Sequence, residues 1–333
     1  MATSRRDVIA GMAGTALAGT ALAGSIPAQA FAQQGWPNQP VKVIVTQAAG
    51  GTPDIICRMV CERLARALGQ QFIVENRPGA GNVIGAQAVA RAAPDGYTLL
   101  WASAASLITN VFTVKSLSYD PQKDFVTISR IAKGPFLIIA NPNVKANTLE
   151  ELLALAKAKP GELNFATDGP RNFSGMLAAW INKNAGVDIK QVYYSTMPQG
   201  VQDVVAGRVQ LAILAIPTAA PLIAAGKLKA LAVSSAERAP GFETIPPIAI
   251  TIPGIDIYGW FALSAPAATP RPIIERLNAE TGKILDDPDF AKPLAQSGFY
   301  SFGSHSQAAA ERAIKDEFEF WRKLVADVGI EPA

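Results

Sequence analysis

Two stretches of the chain combine residue types that hold small anions. Gly50-Gly51-Thr52-Pro53-Asp54 follows the β-branched run Val41–Val45, with Gln47 on the approach, and opens a helical pattern over Pro53–Leu68. Glycines let backbone N–H groups come close to a bound group. A helix N-terminus just beyond them adds partial positive charge, so the corner attracts an anion without a basic side chain. The same residues also make an ordinary strand-to-helix turn, and spacing alone weighs the two accounts evenly. The second stretch, Thr167–Ser174, lies between a strand at Leu163–Ala166 and a helix from about Ser174 to Lys183. Thr167, Asn172 and Ser174 offer hydroxyl and amide donors. Arg171 suits a bidentate grip on a distal carboxylate. Asp168 opposes a bare dianion, unless Arg171 neutralises it or the ligand carries an amine. An Asp168–Arg171 pair, or a helix cap facing solvent, accounts for these charges equally well. Ser103, after a strand at Thr98–Ala102, is a donor where α/β sheets place ligands. Ser195 and Thr196 complete the candidate set.

Other chemistries are poorly supplied. The chain has 333 residues, one histidine and two cysteines. A His-based hydrolase would depend on His305 alone, and His305 reads as a cap or surface residue at the start of the last helix. No G-x-S-x-G elbow, P-loop or clustered metal ligands occur, so the reading is a non-enzyme without metal or cofactor. Cys57 and Cys61 lie one turn apart on the face that carries Val60, Leu64 and Leu68 and read as buried packing residues, since a bridge along one helix is poorly placed. Hydrophobic residues make up 49% and charged residues 17%, which excludes disorder, and the net charge of +3 gives no basic surface for nucleic acid.

Residues 1–32 read as an address. Ser4-Arg5-Arg6 precedes an apolar Ala/Gly-rich run ending at Ile26, followed by Ala28-Gln29-Ala30 and Ala30-Phe31-Ala32. Paired arginines, an apolar stretch and small-x-small sites describe a twin-arginine signal peptide. Gly and Thr interrupt the apolar run, which argues against a membrane anchor. Cleavage after Ala32, or after Ala30, would deliver a soluble periplasmic protein.

The remainder must position the two loops. Val41–Val45, Gln71–Glu75 and Thr98–Ala102 alternate with helices at Pro53–Leu68 and about Val83–Ala92, which implies a parallel sheet with helices on its faces. A second α/β block follows: a strand at Phe136–Ala140, a helix from the capping box Thr148-Leu149-Glu150-Glu151 to Ala158, strands at Leu163–Ala166, Gln191–Tyr194, Val209–Leu214 and Lys229–Ser234, and helices between them. A strand at Gly259–Ala265, helices at Pro272–Leu285 and Phe290–Gln296, and a long helix at Gln307–Val328 return to the first block. The expected fold is α/β and two-lobed, each lobe a central, mostly parallel sheet flanked by helices. Lobe 1 takes residues 33–133 plus 252–333 and lobe 2 residues 134–251, with more than one crossover allowing closure on a ligand.

Several strings carry a resemblance: Trp36-Pro37-Asn38-Gln39-Pro40-Val41, Gly50–Asp54, Val74-Glu75-Asn76-Arg77-Pro78-Gly79-Ala80-Gly81, Ala93-Pro94-Asp95-Gly96-Tyr97-Thr98-Leu99-Leu100, Lys159-Pro160-Gly161, Ala225-Gly226-Lys227-Leu228, Ala265–Leu277 and Glu317–Trp321. Together and in this order they resemble the Bug-type (TctC-type) solute-binding proteins of tripartite tricarboxylate transport systems. The resemblance implies a Venus-flytrap fold of the type II periplasmic-binding-protein kind. It further implies a monomer that captures a carboxylate-bearing solute (di- or tricarboxylate, aromatic acid or amino acid) in the interlobe cleft through loop backbone groups and ordered water, and delivers it to membrane permease subunits. A sensing accessory of a membrane receptor would use the same cleft. The chain departs from the family at two places. Gly175 stands where a histidine is common, and Tyr193-Tyr194-Ser195-Thr196-Met197 replaces a Pro-Tyr-Lys-Gly-Ser pattern. Met197 and the tyrosines suggest a partly apolar wall, with core packing the better account of Tyr193. Trp101 reads as core.

Overall fold

The computed structural model describes residues 35–333 apart from 195, 196 and 304. The expected leader, Ser195 and Thr196 therefore lie outside the described residues. Three short strands open the chain: β1 (Val41–Val45), β2 (Phe72–Asn76) and β3 (Thr98–Ser103). They pair in parallel with β1 in the middle, separated by the helices α1 (Thr52–Leu68) and α2 (Val83–Ala90). Val43 and Val45 point into a core under α1, while Ile44 points to the opposite face, so both faces of β1 are buried. Each such aliphatic side chain contributes about 2 kcal/mol by leaving water. Cys57 and Cys61 belong to the α1 core, with their Sγ atoms 3.8 Å apart.

The second parallel set is β5 (Asn164–Thr167), β6 (Lys190–Tyr193) and β7 (Leu211–Ala215). Helix α4 (Leu149–Ala158) precedes it. Its capping box forms: the Thr148 hydroxyl accepts from the Glu151 N–H, and Glu151 accepts from the Asn147 N–H one residue upstream of the cap. Helices α5 (Phe173–Ala185), α6 (Met197–Val205) and α7 (Ile216–Ala224) alternate with these strands.

Two long strands join the sets. β4 runs from Phe125 to Ala140, far longer than the expected Phe136–Ala140. Its first part pairs antiparallel with β9 (Tyr258–Pro266), and its last five residues pair antiparallel with β7 and, from Leu137, with β8 (Lys229–Val233). β9 in turn pairs antiparallel with β3, giving the order β2-β1-β3-β9-β4-β7-β5-β6, with β8 also on β4. Each set of three parallel strands is thus completed by antiparallel crossing strands. The strand pattern of β4 is obscured because register shifts at Thr127/Ser129 and Arg130/Ala132 break its alternation, and Lys133-Gly134-Pro135 reads as a loop.

Helix α3 (Asn110–Thr113) follows a π-helical turn at Ala105–Thr109, and α8 (Ile248–Thr251) precedes β9. Helices α9 (Arg271–Leu285) and α10 (Pro288–Gln296) close over the first set. Helix α11 (Gln307–Val328) lies against both sets. Phe318 meets Phe112 at 4.9 Å, Trp321 meets Phe173 at 6.0 Å, and Asp327 pairs with Lys183 of α5 at 2.7 Å. No helix among the described residues is long and apolar enough to cross a membrane.

Candidate functional site

The β1–α1 corner is built around Asp54. Gly50 adopts φ +80°, which favours glycine. Gly51 is the N-cap of α1, with Thr52 the first helical residue, one position earlier than expected, and no side chain caps this end. The first-turn N–H groups that a helix leaves open therefore keep no side-chain cap. Asp54 is only 3% exposed. Its carboxylate accepts the Gly50 N–H at 2.9 Å, the Asn76 amide at 3.0 Å and the Arg58 guanidinium at 3.0 Å. Asn76 also donates to the Gln47 carbonyl, tying β2 to the loop. Burial works to raise the Asp54 pKa, but the hydrogen bonds from Arg58, Gly50 and Asn76 outweigh it and hold the carboxyl below the usual aspartate range. Gly50 was expected to offer its N–H outward; the N–H is engaged inward by Asp54. Asp54 shapes the corner from beneath, with Asn76 as a partner that sequence reasoning passed over inside the Glu75-Asn76-Arg77 string.

Asp54→Asn is expected to destabilise the protein by about 1–2 kcal/mol at neutral pH, because charge-assisted bonds become neutral ones while the exposed Arg58 is already screened. A carboxylate with a depressed folded pKa stabilises above its unfolded pKa and loses that contribution as pH falls through the folded value. The wild-type advantage should therefore be full at neutral pH and shrink below the ordinary aspartate range. Urea denaturation of both proteins between pH 3 and 7 measures this, and a constant difference across that range would contradict it.

At the ends of β1 and β3, three buried side-chain oxygens lack partners among the described residues: Thr46 Oγ1, Gln47 Oε1 and Ser103 Oγ. Ser103 is the last residue of β3. Its backbone is fixed by Ser106, whose hydroxyl accepts the Ser103 N–H and donates to the Ser103 carbonyl at 2.9 and 3.0 Å. The π-helical turn follows at once, a feature frequent at functional sites. A buried hydroxyl without a partner costs about 1–3 kcal/mol, and native structures rarely keep one without a reason. Thr46 was not singled out from the sequence; its position at the end of Val41–Val45 was the available signal.

The Thr167–Ser174 loop folds on itself. The Thr167 hydroxyl donates to Gln191 at 3.2 Å, the Asn172 amide donates to the Asp168 carbonyl, and the Ser174 hydroxyl accepts the Asp168 N–H and donates to the Asp168 carboxylate. Side chains expected to face a ligand are thus engaged within the loop. Asn172 occupies the N-cap position of α5 without a side-chain cap bond, and α5 begins at Phe173, one residue early. Arg171 is exposed, and the Asp168–Arg171 pair, one of the alternatives open for these charges, is not formed. Burial pushes the Asp168 pKa up; the Ser174 hydroxyl and the loop N–H groups only partly offset it.

Tyr193 corrects its expectation. It is 58% exposed rather than packed, because β6 is the edge strand and Tyr193 ends it. Tyr194 is the more engaged of the two, donating to Asp203 at 2.7 Å. Trp101 is buried and stacks on Phe261. His305 lies beside Asp286 at 3.1 Å, and the cap of α11 is Ser306.

Residues 56–330 match the family described as tripartite tricarboxylate transporter family receptor. The chain belongs to this family. A UPF0065 protein of Bordetella bronchiseptica is 35% identical over 325 residues, 98% of this chain and 96% of the relative. The solved structure of R. palustris Rpa4515 with adipate has a TM-score of 0.79 at 30% identity, covering 90% of this chain and all of that one. MatC from Rhodopseudomonas palustris with bound malate has a TM-score of 0.74 at 30% identity, covering 87% of this chain and all of that one. The fold is the two-lobed α/β fold of the TctC/Bug periplasmic solute-binding proteins, and this receptor family is one of solute-binding proteins.

Proposed function

We propose that this protein is the extracytoplasmic receptor of a tripartite tricarboxylate-type transporter, capturing a carboxylate-bearing small molecule and handing it to membrane permease subunits. The observation that carries the reading is the set of unpartnered buried oxygens at Thr46, Gln47 and Ser103 beside the uncapped start of α1. Two hydroxyl donors, the Gly51 corner and a helix N-terminus supply what a carboxylate needs without a basic side chain. Adipate and malate in the similar structures are of the same chemical class. The ligand cleft lies between lobe 1, residues 33–133 with 252–333, and lobe 2, residues 134–251. Gln47, Gly51, Thr52 and Ser103 face it from lobe 1 and the 167–174 loop from lobe 2, while Gly50 and Asp54 hold the corner in shape; Ser195 and Thr196 belong to the ligand set by the sequence reading alone. The receptor acts as a periplasmic monomer, exported through the twin-arginine leader at residues 1–32, without cofactor, metal or catalytic step.

A thermal-shift series with organic acids tests this. A true ligand raises the melting temperature in a concentration-dependent way, following RT ln(1 + [L]/Kd), which is about 2.7 kcal/mol at a hundredfold excess over Kd. If no mono-, di- or tricarboxylate or amino acid at millimolar concentration shifts the transition, the receptor reading is wrong.

A further inference from the structure

Asp168 is a carboxylate in the candidate cleft that no cation among the described residues balances. It directly follows β5, which ends at Thr167 and runs parallel to β7, so the strand's C-terminal end is aimed toward the middle of the crossing strand β4. The groups that hold it are the Ser174 hydroxyl and loop N–H groups, with no lysine, arginine or histidine paired to it among the described residues. Arg171, the nearest basic residue in the loop sequence, is turned to solvent. Lobe 1 presents the opposite chemistry: the Thr46 and Ser103 hydroxyls and the first turn of α1 are donors. Gln47 Oε1 is a further acceptor without a donor.

A ligand that satisfies both sides carries a carboxylate for the donors and a positively charged donor for Asp168. We propose that the solute is an amine-bearing carboxylate, of the amino-acid class, whose ammonium group is held by Asp168. This rests on the receptor reading above and narrows it. A simple dicarboxylate would bring a second negative charge to Asp168, whereas an ammonium supplies the charge-assisted bond that Arg171 does not.

The test uses matched pairs differing only in the amine: L-glutamate and glutarate, L-aspartate and succinate, L-phenylalanine and 3-phenylpropionate, 4-aminobutyrate and butyrate. Titration calorimetry on the wild type should show, for the pair that binds, the amine-bearing member tighter by at least about tenfold. Asp168→Asn keeps the shape and removes the charge, and should bring the two members to within about threefold. If Asp168→Asn fails to fold by circular dichroism, Asp168→Ser is read in the same way. Deaminated acids binding as tightly as their partners to the wild type would overturn this inference and leave the receptor reading standing. A preference undiminished in the folded variant would overturn it too. Binding of neither member of any pair, with a non-amine acid of the wider thermal-shift series binding instead, would overturn this inference alone; the receptor reading falls only if that whole series gives no shift.

Discussion

Placing a histidine, or merely an alanine, at position 175 should lower stability by about 3 kcal/mol and abolish ligand binding. A Cβ at Gly175 would lie 2.1 Å from the Gly169 carbonyl oxygen, 2.8 Å from its carbon and 2.9 Å from the Pro170 Cα. All three are backbone atoms, so no side-chain rotation relieves the clash. Gly169 itself sits at φ +113°, so the loop closes only because both positions lack a side chain. The family's common histidine at this position is therefore incompatible with the loop of this chain, which brings its backbone into the space instead. Since the first carbon does the damage, Gly175→Ala and Gly175→His should lose similar stability. Urea denaturation with an unchanged m-value reads the loss as a shift of the midpoint. An alanine variant within about 0.5 kcal/mol of the wild type would show that the loop has room after all.

That closed loop also explains which parts of the site were legible in the sequence. Strand-to-helix corners announce themselves: a β-branched run, glycines, then Pro53 and Asp54 located α1 to within one residue at its start. Gly69 ends it in the left-handed conformation, as a C-terminal glycine should. The direction in which Asp54 or Thr167 points is not a local property. Asp54 turns inward because Asn76, from a neighbouring strand, and Arg58 converge on it; Thr167 turns to Gln191, which β6 brings alongside. A list of polar residues in a loop states what the loop can offer, and the neighbouring strands decide what remains free. The crossing strand β4 was illegible for a related reason. Arg130, Lys133, Gly134 and Pro135 interrupt any local strand pattern, and they are accommodated only because Trp260, Phe302, Tyr258 and Tyr300 come from distant segments to cover the two cations.

Glu317→Ala should be the most destabilising single change on the terminal helix, by about 4 kcal/mol, because it strands a buried cation. Glu317 of α11 accepts the indole N–H of Trp260 on β9 at 2.7 Å and that of Trp321 at 3.3 Å. Its other oxygen lies 3.6 Å from the Arg130 guanidinium of β4, which also stacks over Phe302 at 3.7 Å. One carboxylate therefore fastens the terminal helix to both crossing strands. Removing it leaves Arg130 without its counter-charge and two indole donors without an acceptor. Glu317→Gln keeps an acceptor for the indoles and removes a carboxylate charge that burial disfavours, so it should recover most of the loss. Replacing Arg130 by Met in the Gln variant should recover more, because no buried charge is then unpaired. A double-mutant cycle in urea isolates the coupling, and additivity within about 0.5 kcal/mol would refute it. The pH dependence gives an independent reading. Burial raises the Glu317 pKa, and Arg130 and the two indoles pull it down without cancelling that effect. The folded protein thus holds this proton more tightly than the unfolded chain. Relative to Glu317→Gln, the wild type should gain stability as pH falls from neutral through the raised folded pKa, fully so below the ordinary glutamate range, and lose it as pH rises again. This is the opposite sense to Asp54, so the two carboxylates, one tying the terminal helix to the crossing strands and the other shaping the β1–α1 corner, can be told apart in the same titration.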